Sequence, residues 1–392
     1  MAELIAPKTN PLVTTCARLM LPLFLRVEKL NVIPTAQCVD AIRALRGQPA
    51  VLMLNHSDRY DPVAAFALAQ ECGENFWYLA ARELFDRKFI GWFMQNCGAY
   101  SVIRGSADDE GSRDLTISLM AEGKRKLVEF PEGDVTGRDN EIVPLKHDGL
   151  RNVLHAQDRL MADGRKLHVL PIGIFYELQS DAPEALHRCL DKLDRELEVP
   201  RTTGSISSRV FTLFDVVLDR LHNEYALRRV PSRTVAQQLT SISRNIILKI
   251  ANDFDVQLNA GQAEEVMLYD LRGELRKRPD AKSVTPHLDR VTRLLITAST
   301  LQQPITREIE WRLVDRLEEE VTGKFTVKGT RTAWIECAQA IDVSQILVQN
   351  GGTTEGAITA LDALLRPSML HALTSVRETR KVTHDVATNR AA

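Results

Sequence analysis

The chain has 392 residues, of which 44% are hydrophobic and 26% are charged, and its formal net charge at pH 7 is −2. This length exceeds what one small core organises, so we expect two domains or one core with a large insertion. The near-neutral charge balance excludes the overall basic field that is typical of nucleic-acid-binding proteins. The six cysteines lack zinc-binding spacing, and we expect reduced thiols in a cytoplasmic protein.

The first 48 residues are predicted to be helical, with a break at Pro34. They include an apolar segment, residues 19–25, which is bounded by Arg18 and Arg26 and is too short to span a bilayer. Two interpretations fit this segment. It is either a helix that docks into the core, or an interfacial anchor with its apolar side chains in lipid and its arginines at the headgroups.

Strands and helices alternate between residues 51 and 174, a pattern that predicts an α/β domain. The predicted strands are residues 51–54, 76–80, 99–103, 126–130 and 167–174. The predicted helices are residues 61–70, 83–96 and 111–122.

The pattern changes after about residue 178, where strand-like alternation nearly disappears. Apolar residues at helical spacing predict six helices, at residues 185–197, 208–228, 232–253, 263–276, 285–298 and 306–321. A strand pattern returns at residues 332–340 and 341–344, and a helix is predicted near residues 355–365.

We therefore predict one α/β domain that carries a helical insertion. Its parts are a core of residues 1–179, an all-helical insertion of residues 180–327, a closing strand and helix in residues 328–370, and a polar, frayed tail of residues 371–392. The insertion either presents an apolar face to lipid or an acyl chain, or it is a packing subdomain.

His56 and Asp61 lie five positions apart, directly after the first predicted strand of this domain. His56 is the only one of the nine histidines that is followed five residues later by aspartate. An imidazole accepts a proton from a hydroxyl near neutral pH, and a carboxylate can hold its ring in the tautomer that leaves one nitrogen free. The pattern therefore predicts a base and its orienting acid. The alternative is that Asn55 and Asp61 cap the next helix while His56 is a satisfied turn residue.

Three further segments place glycine, proline or charged residues at predicted strand ends. Residues 98–105 end with Arg104 and a glycine, and arginine offers a planar set of donors to phosphate, although a solvated surface arginine is the alternative. In Phe130–Gly133, Glu132 precedes a glycine at which backbone amides can approach a ligand, although an exposed turn is also possible. Residues 169–174 are either the wall of an acyl-chain site or an ordinary core strand.

Together the four segments resemble the motifs of the glycerolipid acyltransferase family, which includes the glycerol-3-phosphate and 1-acylglycerol-3-phosphate acyltransferases. The matching blocks are residues 55–61, with the family's His-x4-Asp pattern, and residues 98–104, 130–133 and 169–172. Residues 334–344 are similar to the strand that closes the family's sheet. The resemblance covers about residues 15–178 and 328–365, and the insertion is similar to that of a bacterial subgroup. It implies a mixed sheet flanked by helices, with the helical insertion added.

The resemblance implies acyl transfer from a thioester, acyl-CoA or acyl-carrier protein, to a hydroxyl of glycerol phosphate or lysophosphatidate in phospholipid synthesis. His56 would be the general base and Asp61 its orienting acid, with oxyanion donors among the backbone amides near His56 or Gly133. Further substrate-binding residues would be Asn55, Arg104, Glu132, Gly133, Arg138 and Lys146. Glu132 would bind acceptor hydroxyls or fix a basic residue. The chemistry requires no metal and no cofactor.

The third block departs from the family pattern, in which arginine commonly comes soon after the glycine. Here residues 134–137 intervene, so both Arg138 and Lys146 are candidates for contact with an acceptor phosphate. The expected location is cytoplasmic and peripheral, on the inner face of the membrane, without nucleic acid as a partner. Two alternatives stay open: an acyltransferase for a phosphate-free amino-lipid or glycolipid acceptor, and a non-catalytic lipid-binding scaffold.

Overall fold

A computed structural model describes residues 4–102, 110–138 and 140–391 of the chain. The chain divides into two compact units, an α/β unit made of Met1–Glu177 and Arg331–Ala392, and a helical unit, Leu178–Thr330. The helical unit begins two residues before the predicted insertion and ends three residues after it.

The α/β unit is built on a sheet with eight strands in the described residues. They are β1 (Leu30–Pro34), β2 (Ala50–Leu54), β3 (Trp77–Ala81), β4 (Ala99–Val102), β5 (Leu127–Glu129), β6 (His168–Leu178), β7 (Arg331–Cys337) and β8 (Ile341–Asp342). Their order is β1-β7-β6-β2-β5-β3-β4, with β8 paired to β6. The β2–β5 and β2–β6 pairs are parallel and the β6–β8 pair is antiparallel, which confirms the predicted α/β class with a mixed sheet.

Fourteen α-helices are present in the described residues. They are α1 (Pro11–Val27), α2 (Ala36–Ala44), α3 (Asp61–Cys72), α4 (Lys88–Asn96), α5 (Glu110–Glu122), α6 (His147–Met161), α7 (Ala182–Glu196), α8 (Ile206–Glu224), α9 (Val235–Asp253), α10 (Glu264–Leu275), α11 (Thr285–Leu301), α12 (Arg307–Thr322), α13 (Val343–Gln349) and α14 (Thr354–Ala391). Short 3-10 helices occupy Arg82–Asp86 and Pro279–Val284.

Strand β1 lies in a segment that was predicted to be helical. All five of its residues pair with β7, from Leu30 opposite Arg331 to Pro34 opposite Ile335. The prediction was wrong there because the partner strand is about 300 residues away in sequence, and local patterns do not reveal such pairing. Helix α6 was also missed, since no helix was predicted between the strands at residues 126–130 and 167–174.

The buried part of helix α14 extends beyond residue 370, the predicted end of the closing segment. The predicted boundary at residue 370 falls inside the helix, and Ala372, Leu373 and Val376 beyond it are buried. Gly173 in β6 allows this contact, because a Cβ atom there would lie 2.4 Å from the backbone nitrogen of Leu373. The structure therefore places the end of the packed region after residue 376 rather than at residue 370.

Helix α1 buries little of its apolar surface. Only Ala17 and Leu21 are buried, whereas Leu19 is 75% exposed and Leu23 is 53% exposed. The interpretation of residues 19–25 as a core-docking helix therefore does not hold. Among the described residues, no helix has the length and apolar composition needed to cross a bilayer.

The helical unit holds α7 to α12, at the places where six helices were predicted. Its apolar faces pack together and bury large side chains, among them Phe214, Ile247 and Trp311. A buried ion cluster accompanies this packing: the Nζ atom of Lys328 lies 2.5 Å from Oδ1 of Asp315 and 2.6 Å from Oε2 of Glu318. A buried cation needs partners of opposite charge, and the two carboxylates on α12 supply them.

Candidate active site

The candidate site begins where the fully buried strand β2 ends. Asn55 is the first residue after β2, and its side chain is held by strand β6 on both polar groups. Its Nδ2 donates to the carbonyl of Ile174 at 3.1 Å, and its Oδ1 accepts from the Ile174 backbone nitrogen at 2.6 Å. Asn55 therefore fixes the chain that leads to His56, and its role in binding substrate stays a prediction.

His56 and Asp61 form the predicted contact. Their Nδ1 and Oδ2 atoms are 2.9 Å apart, and both residues are buried. The turn between the two residues ends at Asp61, the first residue of α3. This turn brings the Asp61 carboxylate next to the imidazole. Within the described residues no hydrogen bond occupies Nε2, the other ring nitrogen. This arrangement leaves Nε2 as the atom that can accept a proton from a hydroxyl.

The Asp61 carboxylate has two donors besides His56. The backbone nitrogen of Asp58 donates to Oδ2 at 2.9 Å, and the hydroxyl of Tyr176 donates to Oδ1 at 2.7 Å. Burial raises the pKa of Asp61, and the hydrogen bond with His56 opposes this rise. Three donors fix the carboxylate, so it can hold the ring in one orientation. The alternative capping role fails, because Tyr60 precedes α3 with no side-chain capping bond and Asn55 is bound to β6.

Tyr176 was missed by the sequence analysis, although it directly touches the acid of the pair. It lies in β6, which runs parallel to β2 with Ile172 opposite Leu54. No motif marks this tyrosine. Only the register of the two strands brings its hydroxyl to Asp61.

The Phe130–Gly133 segment follows β5, the neighbour of β2 on its other side. The ring of Phe130 stacks on the ring of His56, with centroids 4.3 Å apart and an angle of 23° between planes. The Glu132 carboxylate accepts from the backbone nitrogen of His56 at 2.7 Å and from that of Val143 at 3.1 Å. Burial raises the pKa of Glu132 to about 7, and the two backbone donors oppose this rise.

Glu132 thus anchors the backbone of His56, and its contact with an acceptor hydroxyl or a basic residue stays a prediction. It also occupies the amide of His56. The amide of Gly133 is used as well, since it donates to the carbonyl of Phe130 at 2.9 Å. These two amides therefore already have acceptors, and the predicted oxyanion donors near His56 or Gly133 would be other backbone amides.

The side chain of Lys146 packs closely against Gly133, in the Phe130–Gly133 segment. Gly133 has a φ of +84°, and a Cβ atom built on it would lie 3.0 Å from Cγ of Lys146. The backbone nitrogen of Lys146 donates to the carbonyl of Pro131 at 2.7 Å, and its exposed side chain begins at the N-terminal end of α6. Glycine is required because its backbone is left-handed and the lysine stem crosses it closely.

The residues that depart from the family pattern also serve the site. Thr136 donates to the carbonyl of His56 with its backbone nitrogen at 2.7 Å and with its hydroxyl at 3.1 Å. Arg138 follows, and its guanidinium binds Glu141 at 2.5 Å. The structure thus brings Asn55, His56, Asp61, Glu132, Gly133 and Lys146 together, while Arg138 is engaged by a neighbouring acid. Arg104 lies outside the described residues.

A buried histidine–aspartate pair at the carboxyl end of a central parallel strand is an arrangement that can perform general-base chemistry on a hydroxyl group. Residues 25–175 match the family model described as Acyltransferase. Over 90 residues the chain is 29% identical to a Streptococcus pneumoniae (strain ATCC BAA-255 / R6) protein named 1-acyl-sn-glycerol-3-phosphate acyltransferase, which covers 23% of this chain and 33% of that relative. The chain thus spans about a third of the length of this curated relative. The family match over residues 25–175 and this relative confirm the predicted resemblance to the glycerolipid acyltransferases.

Proposed function

We propose that this protein transfers a fatty acyl group from a thioester, acyl-CoA or acyl-carrier protein, to a hydroxyl of glycerol phosphate or lysophosphatidate. The family match and the name of the Streptococcus relative support this reaction class. The observation that carries the proposal is the 2.9 Å contact between His56 Nδ1 and Asp61 Oδ2, with Nε2 left as the proton acceptor.

The reaction follows from the protonation of one ring nitrogen. Nε2 of His56 takes the hydroxyl proton as the acceptor oxygen attacks the thioester carbonyl carbon. Asp61 stabilises the resulting imidazolium, and the stacked ring of Phe130 limits its rotation. The tetrahedral intermediate then collapses, the carbon–sulfur bond breaks, and the thiolate recovers the proton from Nε2. The products are an ester and a free thiol, and His56 returns to its starting state.

Lys146 is the best-placed cation for an acceptor phosphate. Its stem lies across Gly133, one residue after the glutamate that holds His56, and its side chain is exposed. An ammonium group there would attract an anionic acceptor toward the imidazole. Arg104 and Arg138 remain proposed contacts, and Arg138 would first have to leave Glu141. A lipid acceptor would place the enzyme peripherally on the inner face of the membrane.

The test uses the purified full chain with radiolabelled acyl-CoA or acyl-carrier protein and three acceptors: glycerol 3-phosphate, lysophosphatidate and monoacylglycerol. We expect a phosphate-containing ester as the product, identified by mass spectrometry. His56→Ala and Asp61→Asn should each lower kcat by about 10²- to 10⁴-fold. Lys146→Met should raise KM for the phosphate acceptors and leave kcat nearly unchanged.

His371→Ala is the matched control, because this histidine is exposed on α14. Full activity of His56→Ala would refute the catalytic assignment. Transfer to monoacylglycerol alone would refute the phosphate acceptor and favour a phosphate-free lipid. Tight lipid binding with no transfer by the wild type, from either donor, would favour the non-catalytic scaffold.

A further inference from the structure

Apolar side chains are exposed on α1 and on α4 with the short helix before it. Of the 21 large hydrophobic side chains that are exposed in the described residues, six lie on α1 and five on Arg82–Asn96. Among them are Leu12 at 78%, Leu19 at 75%, Val27 at 65%, Phe89 at 75% and Trp92 at 50%. We call these two elements the apolar surface. An apolar area of this extent on a folded protein marks a binding surface.

The two elements adjoin each other. The segment before α1 runs along the end of α4, where the backbone nitrogen of Lys8 donates to Gln95 at 2.9 Å and that of Asn10 donates to Asn96 at 3.1 Å. Thr9 and Cys97 form an isolated antiparallel bridge at the same place. Within α4, the rings of Phe89 and Trp92 have centroids 6.2 Å apart. The exposed apolar groups therefore belong to one region of the α/β unit.

The helices α1 and α4 carry charges of one sign, whereas the short helix before α4 carries both signs, with Arg82 paired to Asp86 at 2.6 Å and Glu83 beside them. Helices α1 and α4 contain no aspartate or glutamate, and their charged residues are Arg18, Arg26 and Lys88. This composition differs from that of the whole chain, which has 52 acidic and 50 basic residues. Apolar side chains that are accompanied only by cations complement the boundary between anionic headgroups and acyl chains.

We infer that α1 and α4 form the surface by which this protein lies on an anionic membrane. Leu19, Phe89 and Trp92 enter the boundary between headgroups and acyl chains, while Arg26 and Lys88 bind lipid phosphates. The lipid bilayer is bound at its surface and is not crossed, in accord with the length and composition of these helices.

The same surface is connected to the candidate active site. Glu28 ends α1, and its carboxylate accepts a hydrogen bond from the hydroxyl of Tyr60. Tyr60 directly precedes Asp61, the acid that orients His56. Docking of α1 on lipid would therefore bring the turn between His56 and Asp61 to the membrane that supplies a lipid acceptor.

The test measures co-sedimentation of the full chain with vesicles of phosphatidylcholine alone or of phosphatidylcholine with phosphatidylglycerol, in the absence of thioester. We expect stronger binding to the anionic vesicles. The pair Leu19→Ser and Phe89→Ser should weaken binding at least about 10-fold. The pair Arg26→Gln and Lys88→Gln should weaken binding to anionic vesicles by about 10-fold and leave binding to neutral vesicles unchanged.

Val348→Ser and Leu364→Ser are the matched controls, since these side chains are 63% and 51% exposed on α13 and α14 of the same unit. Neither control should change binding. Trp92 adds a direct readout, because it is 50% exposed while Trp77 and Trp311 are buried. Its fluorescence should shift to shorter wavelength on anionic vesicles, and Trp92→Phe should abolish that shift.

Absence of vesicle binding by the wild type would overturn the inference, and so would equal losses in the test and control variants. Self-association through these helices, seen by analytical ultracentrifugation without vesicle binding, would replace lipid with a second copy of the chain. The inference concerns docking alone. His56→Ala should bind vesicles normally, so failure of the proposed transfer reaction would leave this result intact.

Discussion

Amphipathic helices occur in both units, but they differ in what covers their apolar sides. In the helical unit, α8, α9 and α12 bury Phe214, Ile247 and Trp311 against neighbouring helices. In the α/β unit, α1 leaves Leu19 and most of its other large side chains in solvent. Apolar residues at helical spacing thus predict a helix. Only the presence of a second element packed against the apolar face decides whether that face becomes part of the core or a binding surface.

The two units also differ in the charged residues that accompany their apolar side chains. The helical unit carries buried pairs of both signs, including Lys328 with Asp315 and Glu318, and Arg209 with Asp194 at 2.9 Å. Its exposed large hydrophobic side chains are between 38% and 44% exposed. These features favour the packing subdomain over a lipid-docking face for the insertion. The helices α1 and α4, whose charged residues are all cations, have the composition that the insertion lacks.

The largest expected effect concerns the packed helices. Trp311 is 1% exposed on α12, and Trp311→Ala would leave a cavity in the helical unit. We expect a loss of about 3–5 kcal/mol of unfolding free energy. Hydrogen–deuterium exchange of peptides from residues 178–330 would locate the loss. A change below about 1 kcal/mol would show that these helices are loosely packed and would remove the contrast with α1.

The ion cluster should give the next effect, with a pH dependence. Lys328→Met removes the cation between Asp315 and Glu318, and we expect a loss of about 3 kcal/mol at pH 7, since Thr326 still donates to Glu318 and Lys192 still lies 3.4 Å from it. Burial raises the pKa of Glu318, but the bonds from Lys328 and Thr326 outweigh it and hold this pKa below its usual range.

A depressed carboxylate pKa stabilises the fold above the unfolded pKa of about 4.3, and the contribution disappears as pH falls through the folded pKa. The difference between wild type and Lys328→Met should therefore shrink in acid, as measured by urea unfolding at several pH values. A constant difference down to pH 3 would contradict the assignment.

The α/β unit should show the opposite pH dependence, through Glu129. Its Oε2 atom is buried and has no hydrogen-bond partner among the residues that the structure describes. Burial, with a smaller effect of Asp148, raises the pKa of this carboxyl to about 7. Between about pH 4.5 and 7 the unfolded chain loses this proton while the folded protein keeps it, so stability falls as pH rises.

Glu129→Gln keeps the shape and removes the charge. We expect the variant to be more stable than wild type by roughly 2–3 kcal/mol above pH 7 and nearly equal to it at pH 4. Glu196→Gln, at an exposed position on α7, is the control and should follow the wild type. Parallel stability curves for Glu129→Gln and wild type would show that Glu129 is already ionised in the folded protein.

The smallest effect is expected on α1. Leu19→Ser removes an apolar side chain that is 75% exposed, so unfolding free energy should change by no more than about 0.5 kcal/mol. Urea unfolding of the full chain measures this change, as it does the change for Trp311→Ala. A loss of 2 kcal/mol or more would mean that Leu19 packs within the protein and would contradict the exposed apolar surface.

The sequence predicted the histidine–aspartate pair because a short spacing at a strand end returns both side chains to one place. It predicted the helical insertion for a similar reason, since helical periodicity is local. It did not predict β1, the Tyr176 contact or the passage of Lys146 across Gly133, because each depends on the register or close approach of separate segments.

By itself, then, the sequence determined the α/β class, the helical insertion, the family and the candidate base, all of which arise from spacing between near neighbours. Only the tertiary structure decided that the side chains of Asn55 and Glu132 bond to backbone groups, and that the apolar side of α1 is exposed. The physical reason is the distance between partners. Asn55 bonds to Ile174, 119 positions away, and the amide of His56 bonds to Glu132, 76 positions away. A local sequence pattern does not show which distant residue will lie next to each of these groups.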